Sequence, residues 1–484
     1  MYTFKRAYPL GLLAFSLLTA CGENNEASQP LVIIDAPDLA MDIGAPDSAL
    51  DGQRLQDAGA PDVNIADIGM MIPDAATPAW HVEGERVQCE TNASFESLLP
   101  ILNGGRTHPT GRGEQASAYD PCNRRIILFG GNDFQPEECA DFGPKRFQGD
   151  TWIYSLEHDN WARLDLAEAP SARGRHRMVF DRSRKKIYLF GGRYRMQQNS
   201  GSYTVFNDFW SFDVNTDTWQ QIQTSGTVPT GRANTAMVYD HLNDRVILFG
   251  GSTSTSGLDF TPLNDTYILN LDSMEWRRVD GQAPSRRLFH DMVIDSTHGQ
   301  LIAYGGGDER AFTGPFYRDM WAFDLSTETW SQIWDGRGNG PVGRINPVLV
   351  EDATGERIIL FGGHDDTNVG HRNDVWSYDY ATSQWQSLVA GDEGAGAGCS
   401  SFCNCPPDFV EVDMESPERR QYHTFQRIID ERRAILFGGK GDCGYLDDTW
   451  DFSFGEDRWR EIEPAGQGEA CRRTGQEGCT DLCY

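Results

Sequence analysis

Residues 245–251 read Arg-Val-Ile-Leu-Phe-Gly-Gly. The unit returns as RIILFGG ending at Gly131, KIYLFGG at Gly192, RIILFGG at Gly363 and RAILFGG at Gly439, with a looser QLIAYGG ending at Gly306. A short apolar run closed by paired glycines reads as a buried strand running into a tight turn. Six copies of one strand in one chain mean a repeat architecture.

Working outward, an arginine stands eighteen residues before the first glycine of every pair: Arg112, Arg173, Arg232, Arg287, Arg344 and Arg420. A proline precedes each arginine by three, from Pro109 to Pro417. Between arginine and glycines lie two apolar strands and a polar turn, as in MVYD, HLND and RVILF of the third copy. The turn residues are of the kind that close hairpins. After the glycines comes a loop of variable length. Then an aspartate precedes an aromatic by two, as in Asp150 with Trp152 and Asp374 with Trp376, and a further tryptophan follows nine residues later. Each repeat is therefore four antiparallel strands, a to d. The glycine marks are 55 to 61 residues apart over five copies and 76 apart before the last.

This pattern closely resembles the kelch motif: an apolar strand, a double glycine and two spaced aromatics, over about residues 90 to 462. The resemblance implies an all-β fold, a six-bladed β-propeller. The glycines permit a tight backbone at the end of strand b, and the tryptophans act as flat wedges between blades. A stretch at Phe95-Glu96-Ser97-Leu98-Leu99 resembles a strand d, so a seventh, degenerate blade is the alternative. The propeller is expected over residues 87–465, with a Cys-rich tail at 466–484 packed on the last blade.

The first 20 residues read as a targeting segment. Lys5 and Arg6 precede a short apolar run, Leu10 to Leu18, that ends Leu18-Thr19-Ala20-Cys21. The run is too short to anchor a helix in a bilayer. It resembles a bacterial lipobox, which implies cleavage before Cys21 and a lipid on its sulfur. Gly22 points towards the outer membrane or cell surface. Residues 21–86 read as a disordered acidic tether: from Glu23 to Asp74 there are eleven acidic residues and one basic one, Arg54. Such a segment buries too little apolar area to order itself.

Removing Cys21 leaves ten of the 11 cysteines: Cys89, Cys122, Cys139, Cys399, Cys403, Cys405, Cys443, Cys471, Cys479 and Cys483. In an exported chain an even set reads as disulfides. The insertion near Cys399 and the tail are expected to be stapled together where the ring closes. The competing reading, a metal site at Cys403 and Cys405, lacks a histidine to complete it.

The formal net charge of −30 argues against nucleic acid as a partner. Chemistry-bearing candidates lie at the glycine end of each blade. The resemblance implies that the six arginines, and the residues that follow each glycine pair (among them Arg193, His364 and Lys440), line a ligand face suited to carboxylates or sugars. The competing role for the arginines is an ion pair with the aspartates between adjacent blades. Three residues after the arginine come His176, His290 and His423, either converging on a metal or packed against a neighbour. The acidic loops Asp308-Glu309-Arg310 and His364-Asp365-Asp366 read as solvated or cation-binding. No nucleophile, phosphate loop or metal quartet stands out, and no cofactor is expected. The function expected is therefore a lipid-anchored binding module for protein or glycan. A kelch-type sugar-acid mutarotase or a copper-radical oxidase is the enzymatic alternative.

Overall fold

The computed structural model describes residues 108–133, 146–196, 202–257, 259–311, 313–365, 370–394, 410–411, 415–441 and 444–465. Blade one is Ala116–Asp120, Arg125–Phe129, Thr151–Ser155 and Asn160–Leu164, four strands paired antiparallel in chain order. Five further sheets repeat that order, with inner strands Arg177–Asp181, Ala236–Asp240, Asp291–Asp295, Val348–Asp352 and Thr424–Ile428. Each inner strand packs on two neighbours, and Thr424–Ile428 lies between Val348–Asp352 and Ala116–Asp120. The ring thus closes with six blades, which corrects the seven-blade alternative. The Phe95–Leu99 stretch lies outside the described residues.

Burial follows from position in the blade. Strand b of blade three, Arg245–Phe249, is buried on both faces apart from its first residue, because a neighbouring blade covers each side. The outer strand Glu275–Val279 alternates, with Trp276 buried and Glu275, Arg277 and Arg278 exposed. Ser225–Gly226, from the end of blade two, pairs in parallel with that outer strand and covers part of its edge.

Each strand-d tryptophan of one blade meets the aromatic ring of the preceding blade's glycine unit, a phenylalanine in five cases and Tyr304 in the sixth, 5.7 Å from Trp385. The ring centroids are 5.4 Å apart for Trp219 and Phe129, 4.8 Å for Trp330 and Phe249, and 4.8 Å for Trp459 and Phe361. Trp161 and Phe437, at 4.6 Å, repeat this contact where blade one meets blade six. Three of the six indoles also find a polar partner across the junction: Trp161 Nε1 donates to Thr449 Oγ1 at 3.4 Å, Trp219 Nε1 to Thr151 Oγ1 at 3.0 Å, and Trp330 Nε1 to Thr266 Oγ1 at 2.9 Å. These are the wedges that the repeat pattern implies; the apolar contact is common to all six, while the indole N–H of Trp276, Trp385 and Trp459 has no partner among the described residues.

The six P-x-x-R arginines are 0–1% exposed. Arg112 shows why the spacing of eighteen is fixed. Its Nη1 donates to Gly130 O at 3.1 Å and to Asp150 Oδ1 at 2.7 Å, Nη2 reaches Asp150 Oδ2 at 3.1 Å, and Nε reaches Thr110 O at 3.1 Å. The aspartate in turn accepts from Trp152 Nε1 at 2.7 Å. The arginine, first glycine and aspartate of each copy are thus one hydrogen-bonded unit, repeated for Arg173 with Asp208, Arg232 with Asp265, Arg287 with Asp319, Arg344 with Asp374 and Arg420 with Asp448. The tryptophan joins it by hydrogen bond in every copy but the third, where Tyr267 instead lies under Arg232. These pairs lie inside one blade. The expectation of pairs between blades is corrected for this set.

At the opposite end side-chain bridges run from blade to blade, and the arginine that opens the glycine unit makes three of them. Arg125 donates through Nε to Asp120 Oδ2 across its own hairpin at 2.8 Å and through Nη2 to Asp217 Oδ1 of blade two at 2.5 Å. Arg245 reaches Leu325 O of blade four at 2.5 Å, and Arg357 reaches Asp457 of blade six at 2.7 Å. At closure the bridge comes from the hairpin turn instead: Arg124 pairs with Asp430 at 3.3 Å and with Glu431.

Removing one partner of a buried pair strands the other's charge. Asp374 illustrates the balance: burial would raise its pKa, but Arg344 outweighs this and holds it below the usual range. Arg344→Ala is expected to cost about 3–5 kcal/mol in urea denaturation. Arg344→Met combined with Asp374→Leu is expected to cost less than the two single losses added together. A double variant as damaged as that sum would show that the two groups act independently.

Candidate functional site

The arginine also organises its neighbour. Its backbone carbonyl accepts from the second glycine of the preceding blade: Gly131 N to Arg173 O at 2.9 Å, and so on round to Gly439 N to Arg112 O at 2.8 Å. The glycines cannot be replaced here. A Cβ on Gly130 would lie 2.6 Å from Arg173 O, and its φ of +68° is a left-handed conformation.

Two residues beyond each arginine stand Glu114, Arg175, Asn234, Phe289, Asn346 and Tyr422, all with φ between 52° and 64°. That conformation is unfavourable for residues with a Cβ. It is stabilised by backbone hydrogen bonds that run from blade to blade. Arg175 N donates to Glu114 O at 2.7 Å, Asn234 N to Arg175 O at 3.2 Å, Phe289 N to Asn234 O at 3.2 Å, Asn346 N to Phe289 O at 2.7 Å, and Glu114 N to Tyr422 O at 3.1 Å. The six side chains, all different except for the two asparagines, are thereby brought to the axis.

There they form a plug. Arg175 lies over the rings of Phe289 and Tyr422, at 4.9 and 4.8 Å from their centroids, so blades two, four and six meet at the centre. Its Nε donates to Glu114 Oε1 at 2.7 Å and its Nη2 to Tyr422 Oη at 3.0 Å. Arg193 adds a second guanidinium: Nη2 reaches Glu114 Oε1 at 3.2 Å, and the group lies 4.1 Å over Tyr203. Arg175 and Arg193 are 9% and 4% exposed. Burial lowers the pKa of Arg193, helped by the charge of Arg175 beside it. Burial opposes the charge of Arg175 too, but the Glu114 carboxylate outweighs it and raises that pKa. Arg175 Nη1 and Arg193 Nε have no acceptor. Two guanidiniums around one carboxylate, each with a spare donor, suit an incoming anionic oxygen.

Of the nine residues expected to line a ligand face, Arg193 alone joins this cluster. Arg112, Arg173, Arg232, Arg287, Arg344 and Arg420 direct their donors into their own blades, so the geometry makes them scaffold. His364 is buried, its Nδ1 2.8 Å from His371 Nδ1. Lys440 is half-buried and pairs with Gln421 through its backbone. The acidic loops are locally satisfied: Asp365 pairs with Arg372, and Asp308 lies 3.5 Å from Arg310. Sequence reading followed the constant arginine and so missed Arg175, Glu114 and Tyr422, two places on. The available signal was a position that changes in a frame that does not.

The three histidines do not converge. His176, His290 and His423 each pack edge-on to the phenylalanine of the preceding blade, at 5.5, 5.1 and 5.0 Å. Among the described residues no group of three or more potential metal ligands is gathered. Cys122, in the first hairpin turn, is disulfide-bonded. The other nine cysteines of the expected set lie outside the described residues.

Comparison with known proteins agrees with this geometry. A family model described as the KLHDC2/KLHL20/DRC7 Kelch-repeats domain matches residues 99–280 and 240–405. The chain belongs to the kelch-repeat family. Among proteins similar to this kelch chain, acyl-CoA-binding domain-containing protein 5 of Arabidopsis thaliana is 25% identical over 58% of the chain and 39% of its own length. Mei4-dependent protein 6 of Schizosaccharomyces pombe is 24% identical over 59% and 41%, and Adagio protein 3 of Arabidopsis thaliana 25% over 51% and 35%. The kelch chain thus spans about two fifths of the length of the relatives it matches, and these relatives are eukaryotic.

The buried histidines give the kelch ring an acid sensitivity. Burial, with an adjacent arginine, holds the pKa values of His176, His290 and His423 well below the usual histidine value. An unfolded chain takes up these protons near pH 6.5 while the folded one does not. Stability is therefore expected to be full above about pH 6.5 and to fall as pH drops below it. Urea titrations at pH 7.5 and 5.5 should show this loss, and replacing all three by Phe should reduce it. An unchanged loss in the triple variant would assign the acid sensitivity to other groups.

Proposed function

We propose that this propeller is a protein-interaction module that receives its partner on the double-glycine end. One observation carries this reading. The scaffold is the same in six blades, whereas the axial residues Glu114, Arg175, Asn234, Phe289, Asn346 and Tyr422 differ, and Arg175 among them and Arg193 beside it keep spare donors. A partner segment that presents a carboxylate fits that chemistry. Met196, 76% exposed, follows the blade-two glycines at the same end and offers an apolar contact.

We infer that Cys21 carries a lipid, that the acidic segment holds the propeller off a bacterial outer-membrane surface, and that the remaining cysteines are paired. Charge, apolar run and cysteine stand in lipobox order, and the disulfide at Cys122 fits an oxidising compartment. A glycan ligand is the second reading, since the same arginines suit acidic sugars.

One experiment addresses both levels. The full chain is expressed with its leader and labelled with radioactive palmitate; label is expected in the membrane fraction and is expected to vanish in Cys21→Ser. Proteins and glycans captured by the labelled chain are then compared with those of Met196→Asp and of Leu242→Asp, which alters the other large exposed apolar side chain among the described residues, at the opposite end. Loss of a partner in Met196→Asp alone supports the double-glycine face. Loss only in Leu242→Asp moves the partner to the other end, and capture of acidic glycans alone replaces protein by sugar.

A further inference from the structure

The inner strands enclose a cavity of about 280 Å³ on the propeller axis. The contacts of Arg175 with Phe289 and Tyr422 close the axis at the double-glycine end. The cavity is therefore blind, and it is approached from the hairpin-turn end, where Phe180, Arg182, His241 and Ile429 are half-buried.

Its chemistry changes with depth. Near the floor, Arg177 donates through Nε to Thr235 O at 2.7 Å and through Nη2 to His290 O at 3.3 Å, with Asp291 Oδ1 also 3.3 Å from Nη2. Its Nη1 makes no hydrogen bond among the described residues. The Arg177 side chain is 31% exposed although it stands in the cavity wall, so the exposed part faces the cavity. Asp291 does not cancel it: its Oδ2 accepts from Leu349 N at 2.8 Å, and burial raises its pKa, which weakens its repulsion of an anion. Above the floor the wall is aliphatic, with Val179, Val293, Val350 and Met237. The mouth is basic. Arg182 and Arg427 stand there, the latter paired with Glu351 at 2.8 Å. In a chain of net charge −30, a basic mouth above a free guanidinium donor selects anions locally.

We propose that the axial cavity is a binding site for a small organic acid, whose carboxylate docks on Arg177 and whose short apolar body lies against the valines. The volume lies at the lower end for ligand pockets, about 300 Å³ upward, which restricts the ligand to a small molecule. This site is distinct from the interaction face, since the Arg175 plug separates them.

Isothermal titration of the full chain with pentanoate, pentanol and glucose tests it. Pentanoate is expected to bind saturably and at least tenfold more tightly than pentanol or glucose. Arg177→Gln is expected to abolish that preference. Val293→Phe, which fills the cavity and leaves Arg177 in place, is expected to remove pentanoate binding, and it decides the matter if Arg177→Gln does not fold. Equal binding of pentanol, tighter binding of glucose, no saturable pentanoate binding, or pentanoate binding that survives Val293→Phe each overturns the site.

Discussion

The propeller depends on one junction, made six times: a buried arginine whose side chain and carbonyl act in different blades. The guanidinium ties strand a to the first glycine and to the aspartate before strand c. The carbonyl accepts from the second glycine of the blade before. One residue therefore sets both the internal geometry of a blade and its attachment to the next. A planar group with five donors in a fixed fork suits this task, and an ammonium would not reproduce it. Fully hydrogen-bonded, the charge is tolerable in the interior.

The same logic separates the two ends of the molecule. At the double-glycine end, the six repeated arginine–aspartate pairs lie within blades and the ring is joined mainly through backbone, with Arg175 and Arg193 of blade two pairing to Glu114 of blade one as the exception at the axis. At the hairpin-turn end, Arg125, Arg245 and Arg357 cross from blade to blade by side chain. The first end has its connections made by main chain, so its axial side chains are free to vary. Here the left-handed ring from Glu114 to Tyr422 gathers two guanidiniums, a carboxylate and aromatic rings in one buried cluster. Ring closure at blades six and one needs no special element among the described residues. Trp161 on Phe437 and Gly439 on Arg112 repeat the contacts of every other junction.

The repeated spacings made the blades and their strand order legible in the sequence, with six blades favoured over seven, because each spacing is a hydrogen bond or a ring contact that recurs from copy to copy. Histidine packing was legible as one of two readings, and the structure chose it through Phe129, Phe249 and Phe361. The ion pairing of the arginines was legible in composition and misplaced in space, since a sequence shows equal numbers of arginine and aspartate but not which blade each faces.

By itself the sequence determined the propeller, because apolar strands, glycines with no Cβ and aromatic wedges carry local rules that hold wherever the chain goes. Only the tertiary structure decided where the unusual residues meet. Arg175 and Arg193 share Glu114 across a gap of 61 and 79 positions, and Arg177 reaches His290 over 113. Such contacts arise from ring closure, which brings the same position of distant repeats to one axis, and no local pattern encodes which side chains will then face each other.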